Sequence, residues 1–512
     1  MRILYFLAYS NGIGGAAKQM LAHASMMNNQ KHTIEVILHN DRHGMHGKEY
    51  DTMCTALNLP FDSCVFDVSQ CIEEINLQNL DTDETSIRNI IETFRPDIVH
   101  SLQINVLVEK LTREYKIPHV VSVYQLCEGM FNLTWSNILF KYHCADSEYY
   151  CNKWEKGLGI YSECIRVAYN CECTDRISSD KNTLELINIG VLCKHKRQLE
   201  VLRFINMCIE SGIRVHITFL GNCNSDYGDE CRKYIEENNL NEYVDIIGEV
   251  LNVEKYLLNS NLLIHASVSE SYPGVIVEAM ANKVPVLCTP VAGIPELVKS
   301  GVNGILSDGY EAQDLFDAFK EYLKIQESGD INNLIREAYR TYEECHAYKV
   351  ISEKISDYYT YIIEDYKKYD HSTDIQEFNN VINQIKKFSV DKCVSKYSDY
   401  TQRHAWYLYH LNKICKPNSN AIVWGTGQMG SYGSEWCEIL NLNILAYADN
   451  NREGKYMGYD IKKPEDKVLK SADYIFVSIG NTDYLREIIP KLEVMGRKRN
   501  VDYFLIQNNP CL

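Results

Sequence analysis

The chain has 512 residues, which at ~150 residues per domain suggests three domains. Hydrophobic residues make up 45% of it, enough for each domain to bury a core, so general disorder is not expected. The formal net charge of −17 argues against nucleic acid as the main partner, because phosphate backbones are bound by clustered Lys and Arg.

In chain order, residues 1–10 read MRILYFLAYS. The apolar core is short, no small-residue cleavage site follows, and a glycine-rich turn comes next, so this is a buried first strand rather than a signal peptide. Strands are predicted over 3–7, 34–38, 98–102 and 120–124, with helices over 15–27 and 85–94. After a polar stretch at 173–183 the pattern restarts, with strands over 184–189, 215–220, 244–247, 262–265 and 286–289. Residues 311–415 read as mostly helical and rich in Tyr, Lys and Glu. Past a polar break at 416–420, a third αβ pattern has strands over 421–424, 444–448 and 474–478. Strands alternating with helices imply parallel sheets covered on both faces. No run approaches the ~18 apolar residues of a membrane span, so the chain is expected to be soluble or peripheral. The 19 cysteines form no framework, and Cys171 and Cys173 lack a second pair or nearby His to complete a zinc spacing. They read as reduced cytosolic thiols, and no metal site is expected.

The densest chemical signal runs from Ser269 to Ala281 and contains two carboxylates, Glu270 and Glu278, eight positions apart. The first lies in the loop after a parallel strand, the second inside the following helix, and such a loop is where α/β sheets bind ligands. The free N–H groups of the helix start favour phosphate. Asn11-Gly12-Ile13-Gly14-Gly15-Ala16-Ala17-Lys18 follows the first strand, where glycines allow close backbone approach. Lys18 faces either an acceptor or solvent. Gly190-Val191-Leu192-Cys193-Lys194-His195-Lys196-Arg197 is a cation-rich loop after another strand. In the last domain, Gly425, Gly427 and Gly430 have dinucleotide-binding spacing, and Asp449 follows Gly430 by 19 residues.

The segment SESYPGVIVEAMANKVPVLCTPVAGIPELVKSGVNGIL resembles the nucleotide-sugar segment of retaining GT-B glycosyltransferases, the family 4-like or group 1 glycosyl transferases. The resemblance covers residues 1 to about 365 and is densest over 184–306. It implies a GT-B fold of two doubly wound Rossmann-like domains. The N-terminal, acceptor-side domain would span 1–175 and the nucleotide-sugar domain 176–365, followed by a helical linker (366–415) and an extra Rossmann-like domain (416–512). By this resemblance Glu278 binds the donor ribose, Glu270 sits by the donor sugar and phosphates, and the backbone of Tyr272, Pro273, Gly274 and Val275 holds sugar and diphosphate. Gly14, Gly15 and Gly190 approach the diphosphate. Relatives carry Gly-Arg and then a Lys five residues after the Arg; Lys196 matches that Lys, whereas Val191 stands in place of the Arg. Lys194 and Arg197 read as a solvated helix start. Tyr124 stands where relatives place a His near the reacting carbon, and His100 matches a recurrent His.

The implied activity is a retaining, metal-independent transfer without a cofactor. A nucleotide sugar, with UDP favoured, would donate to a glycan, lipid-linked or protein acceptor in bacterial surface polysaccharide or glycoconjugate synthesis. The expected location is cytoplasmic or peripheral at the inner membrane face. Gly425, Gly427, Gly430 and Asp449 mark a separate ligand candidate. The alternative, suggested by Val191 and Tyr124, is a non-catalytic GT-B subunit that binds a sugar or protein partner.

Overall fold

The computed structural model describes residues 1–7, 15–40, 61–65, 84–102, 106–122, 141–158, 161–171, 183–250, 252–479, 482–498 and 501–506. It contains three successive sheets. The first has the order β3-β2-β1-β4-β5-β6-β7. Its strands are β1 (Arg2–Leu7), β2 (Thr33–Asn40), β3 (Phe61–Val65), β4 (Ile98–Leu102), β5 (His119–Ser122), β6 (Tyr142–Ala145) and β7 (Ser162–Cys164), all in parallel register.

Side chains alternate across a strand, and β1 uses both faces. Ile3, Tyr5 and Leu7 pack with Met20 and Leu21 of the first helix, Gly15–Asn29, and with Ile351, Ile355 and Ile362 of a late helix, Tyr348–Tyr366. Leu4 and Phe6 pack on the opposite face with Ile87, Ile91, Leu107 and Leu111. The near-continuous apolar run of β1 is thus what a sheet covered on both sides requires. The late helix crosses back onto the first half, and Tyr359 fastens it by bonding His100 Nδ1 at 2.5 Å and Tyr5 Oη at 3.0 Å.

The second sheet has the order β10-β9-β8-β11-β12-β13, with β8 (Leu184–Ile189), β9 (Val215–Leu220), β10 (Val244–Gly248), β11 (Leu262–His265), β12 (Val286–Cys288) and β13 (Ile305–Leu306). In both sheets the strand order reverses beside the first strand, between β1 and β4 and between β8 and β11. Crevices at such reversals are the usual ligand sites of open α/β sheets.

The third sheet has the order β16-β17-β15-β14-β18-β19, formed by β14 (Asn420–Trp424), β15 (Asn443–Ala448), β16 (Lys455–Tyr456), β17 (Tyr459–Lys462), β18 (Tyr474–Ser478) and β19 (Tyr503–Ile506). Only its β16–β17 pairing is antiparallel among the described residues. The helices Asp374–Asp391 and Ala405–Ile414 do not hang free between the sheets. Their Phe378, Ile385, Leu408 and Leu411 share one apolar cluster with Val423, Trp436 and Phe476 of the third sheet domain and with Val121, Ala145 and Tyr150 of the first. The polar break at 416–420 is therefore not a break in the core. Among the described residues no helix is long and apolar enough to cross a membrane.

Candidate active site

The site grows from the β8/β11 reversal. After β8 the chain passes Gly190 and turns through Lys194–Lys196; after β11 it forms the loop carrying Glu270. The two loops are laced together, as Val268 N–H and Ser267 Oγ–H both donate to the His195 carbonyl, at 2.8 and 3.1 Å. Lys196 Nζ donates to Glu270 Oε1, and His265 Nε2 lies 2.9 Å from the same oxygen. Glu270 is 8% exposed. Burial alone would raise its carboxyl, but the Lys196 charge and the His265 bond outweigh it and hold it well below the usual carboxylate range. Gly190 has φ +153°, a backbone conformation that side-chain-bearing residues rarely adopt, and a Cβ there would lie in van der Waals contact with Lys196 Cδ and Cε at 3.8 Å.

The helix Gly274–Ala281 starts beside this group with Pro273 at its N-cap and no side-chain cap. Its first N–H groups therefore have no side-chain partner at the cap and form a ready anion site. Glu278 lies one turn in and is half-buried. Burial raises its carboxyl, opposed by the charge of Lys18 on the first helix. The Tyr272 side chain is turned into the hinge, where the chain crosses between the two halves near Val167–Tyr169 and again at His346–Ala347, with its hydroxyl 3.3 Å from His346 Nε2 and the Arg166 guanidinium 5.1 Å above its ring.

Both halves close on this loop. Ser271 Oγ–H donates to Asp146, a fully buried carboxyl at the end of β6 that burial raises well above its ordinary value. Glu296 accepts from the backbone N–H groups of Glu148 (3.0 Å) and Tyr149 (2.6 Å), at the start of the helix Glu148–Leu158. His346 Nδ1 lies 2.8 Å from the Val167 carbonyl, tying the two hinge crossings together.

The structure thus brings together Glu270, Lys196, Gly190, Tyr272, Pro273, Gly274, Val275 and Glu278. Gly15 opens the first helix with nothing within 4 Å of its missing Cβ. Gly14 and Tyr124 lie outside the described residues. His100 is buried at 2% exposure and bonded to Ser122 Oγ (2.7 Å) and Tyr359, so it holds the crossing helix in place. Arg197 corrects the expectation of a solvated side chain: it pairs with Glu311 at 2.7 Å and Glu200 at 3.6 Å, because a left-handed residue at the helix start folds it back over those acids. Val191 is 53% exposed. Sequence reasoning missed His265, Asp146, Arg166 and His346; only His265 carried a signal, as a polar residue ending a buried strand.

In the third domain Gly425 has φ +122°, and a Cβ there would lie 2.3 Å from the Ser478 carbonyl. Asp449 Oδ2 accepts from the Thr426 amide (3.2 Å) and hydroxyl (2.5 Å), and its Oδ1 accepts from the amides of Asn451 (2.8 Å) and Arg452 (3.1 Å). Tyr456 Oη–H donates to the Gly427 carbonyl at 2.9 Å, and Gly430 follows in the helix Gln428–Ile439. Both oxygens of Asp449 are therefore engaged, Oδ2 in fastening the glycine turn and Oδ1 in closing the loop that follows Asp449 itself. Among the described residues no group of three His, Cys, Asp or Glu is placed to hold a metal ion.

The fold defines a class: the chain has the GT-B fold, two Rossmann-like sheets with the Glu270 loop between them. Residues 174–341 match the sequence profile of the family Glycosyl transferases group 1. The chain is 34% identical over 100 residues to the capsular polysaccharide biosynthesis glycosyltransferase CapH of Staphylococcus aureus, a match covering 19% of this chain and 28% of that relative. Among solved structures it is similar to a glycosyltransferase from Rickettsia africae, with TM-score 0.61, 15% identity, and 70% of this chain and 98% of that one covered. It is likewise similar to the HepE protein of Anabaena in complex with UDP, with TM-score 0.58, 17% identity, and 70% and 100% coverage.

Proposed function

We propose that the chain is a retaining glycosyltransferase that moves a sugar from a nucleotide donor, UDP favoured, to a glycan, lipid-linked or protein acceptor. The observation that carries this reading is the Lys196–Glu270–His265 group facing the uncapped start of the helix that bears Glu278. Glu278 holds the ribose, the helix start and Lys196 hold the diphosphate, and Glu270 orients Lys196 and the donor sugar. The acceptor hydroxyl attacks the anomeric carbon on the face of the leaving group. The bond from that carbon to the phosphate oxygen breaks, and the hydroxyl proton passes to the departing phosphate. The chain's residues supply position and charge rather than a nucleophile, and no metal or cofactor takes part. The similarity to a capsule-synthesis relative supports a role in bacterial surface polysaccharide, on the cytoplasmic side or peripheral at the membrane. The similarity to a fold captured with UDP supports the base.

A second reading, a non-catalytic GT-B subunit, is favoured by Val191, which leaves an apolar side chain where relatives place a cation. A screen of UDP- and GDP-sugars for thermal stabilisation and hydrolysis separates the two readings. Stabilisation with turnover supports the enzyme, and stabilisation without turnover supports the subunit. No response to any donor contradicts the enzyme and leaves only a subunit that binds a protein partner or an acceptor sugar.

A further inference from the structure

On the glycosyltransferase reading the donor pocket is short of positive charge. Lys196 is spent on Glu270, and Glu278 adds a second carboxylate, so one cation faces two anions before a diphosphate arrives. A phosphate pair held in such a place needs further charge-assisted donors. The neighbouring cations are otherwise engaged: Arg197 with Glu200 and Glu311, and Arg166 with Glu296 at 3.3 Å and the Tyr272 ring. Lys194 stands exposed in its turn.

The first helix answers this need from the other half. Gln19 is bonded to the hinge at Ala168 in both directions, accepting from its N–H at 2.9 Å and donating to its carbonyl at 3.2 Å. A Cβ at Gly274 would lie 4.0 Å from Gln19 Nε2 and 3.7 Å from Val167 Cγ1. The N-terminal part of the helix Gly15–Asn29, through the Gln19 side chain, thus reaches the first turn of Gly274–Ala281. Residues three apart share a helix face, which puts Lys18 beside Gly15, whose missing Cβ meets only open space. Lys18 is exposed, and among the described residues no carboxylate forms a salt bridge with it. Its charge is felt by Glu278 across the cleft, drawing down a carboxyl that burial raises.

We propose that Lys18 is the second cation of the donor site, reaching from the first helix to the phosphates at the start of Gly274–Ala281 and supplying the charge absent at position 191. Because it belongs to the other half, the diphosphate is fully held only when both halves are docked, which couples leaving-group stabilisation to cleft closure. The full chain is titrated calorimetrically with uridine, UMP and UDP. Lys18→Met weakens UDP about tenfold to a hundredfold, the effect of losing one hydrogen bond to a charged group, while uridine changes little. Lys18→Arg keeps most of the UDP affinity, and adding Val191→Arg to Lys18→Met restores it by bringing a cation from the opposite side. Unchanged UDP binding in Lys18→Met overturns the proposal. So does equal weakening of uridine and UDP, which would mean that Lys18 acts only by keeping Glu278 ionised. If the wild-type chain binds neither UDP nor GDP, the underlying reading fails, and this inference with it.

Discussion

Replacing Lys196 with Ala tests whether Glu270 is a buried carboxylate held by its partners. The mutation removes one of two groups bonded to Glu270 Oε1 and leaves His265 at 2.9 Å. Breaking a fully buried pair by deleting one partner costs about 3–5 kcal/mol. Lys196 retains 22% side-chain exposure and His265 stays, so a loss of about 2 kcal/mol is expected at neutral pH. The sign with pH follows from the shift. In the wild type Glu270 is held below its usual value of 4.5, so its contribution is present above that pH and fades as pH falls through the depressed value. Without Lys196 burial is less opposed and the carboxyl rises, so the deficit is largest near pH 7–8 and shrinks toward pH 4.5. Glu270→Gln added to Lys196→Ala recovers most of the stability, because no charge is left buried, but not the activity, which falls ~10²–10³-fold with the lysine. Chemical denaturation at pH 5 and pH 8, with donor turnover in parallel, checks each part. A deficit independent of pH and unrelieved by Glu270→Gln would refute the reasoning.

Glu278→Ala is expected to raise the donor KM about tenfold or more with kcat little changed, whereas Glu270→Ala lowers kcat; steady-state kinetics on the same donor separates them. Burial holds His23 and His143 down at about 3 and His100 well below 6.5, so these imidazoles stay neutral in the fold and take up protons on unfolding. The stability they lend is full above pH 6.5 and declines below it, by up to ~4 kcal/mol per pH unit for three protons, and His143→Phe flattens the slope measured between pH 6.5 and 5 by about one proton. Asp146 is raised by burial, so the chain loses stability as pH rises through that raised value; Asp146→Asn should melt no lower than wild type at pH 8, and a clearly lower melting temperature there counts against the burial argument. A chain ending near residue 370 should keep UDP stabilisation better than one ending at 415, which leaves Leu408 and Leu411 uncovered by Val423 and Trp436; melting with and without UDP ranks the two.

The strands legible in the sequence include those whose burial on both faces demands apolar runs, such as β1 and β11, and β9, whose buried Val215, Ile217 and Phe219 alternate with half-buried His216 and Thr218. β6 was not legible, because Tyr142 and His143 look polar; yet Tyr142 lies in the core, and the Tyr358 hydroxyl donates to the His143 carbonyl at 2.7 Å. β7, a Ser-Glu-Cys edge strand, has no periodic signal at all. Within the site, Glu270 and Glu278 were readable because they lie in one continuous segment, and Lys196 because its place in the loop after Gly190 matches the lysine of the family that the segment resembles. Asp146 was not, since it meets Ser271 from 125 positions away and nothing local to either residue encodes the meeting. Lys18 could be seen as a cation in a glycine-rich turn, but its neighbour Glu278 emerged only when the first helix was found to reach the start of Gly274–Ala281 through Gln19.

The central claim, that this chain transfers a sugar from a nucleotide donor using the Glu270–Lys196–Glu278 site, is tested most directly by nucleotide release from a UDP-sugar panel. The purified full chain is assayed beside Lys196→Ala and Glu278→Ala, and the anomeric configuration of the product is read by NMR. The account predicts release by the wild type with retained configuration, nearly abolished in Lys196→Ala and requiring more donor in Glu278→Ala. Turnover undiminished in both variants, or a product of inverted configuration, would contradict it.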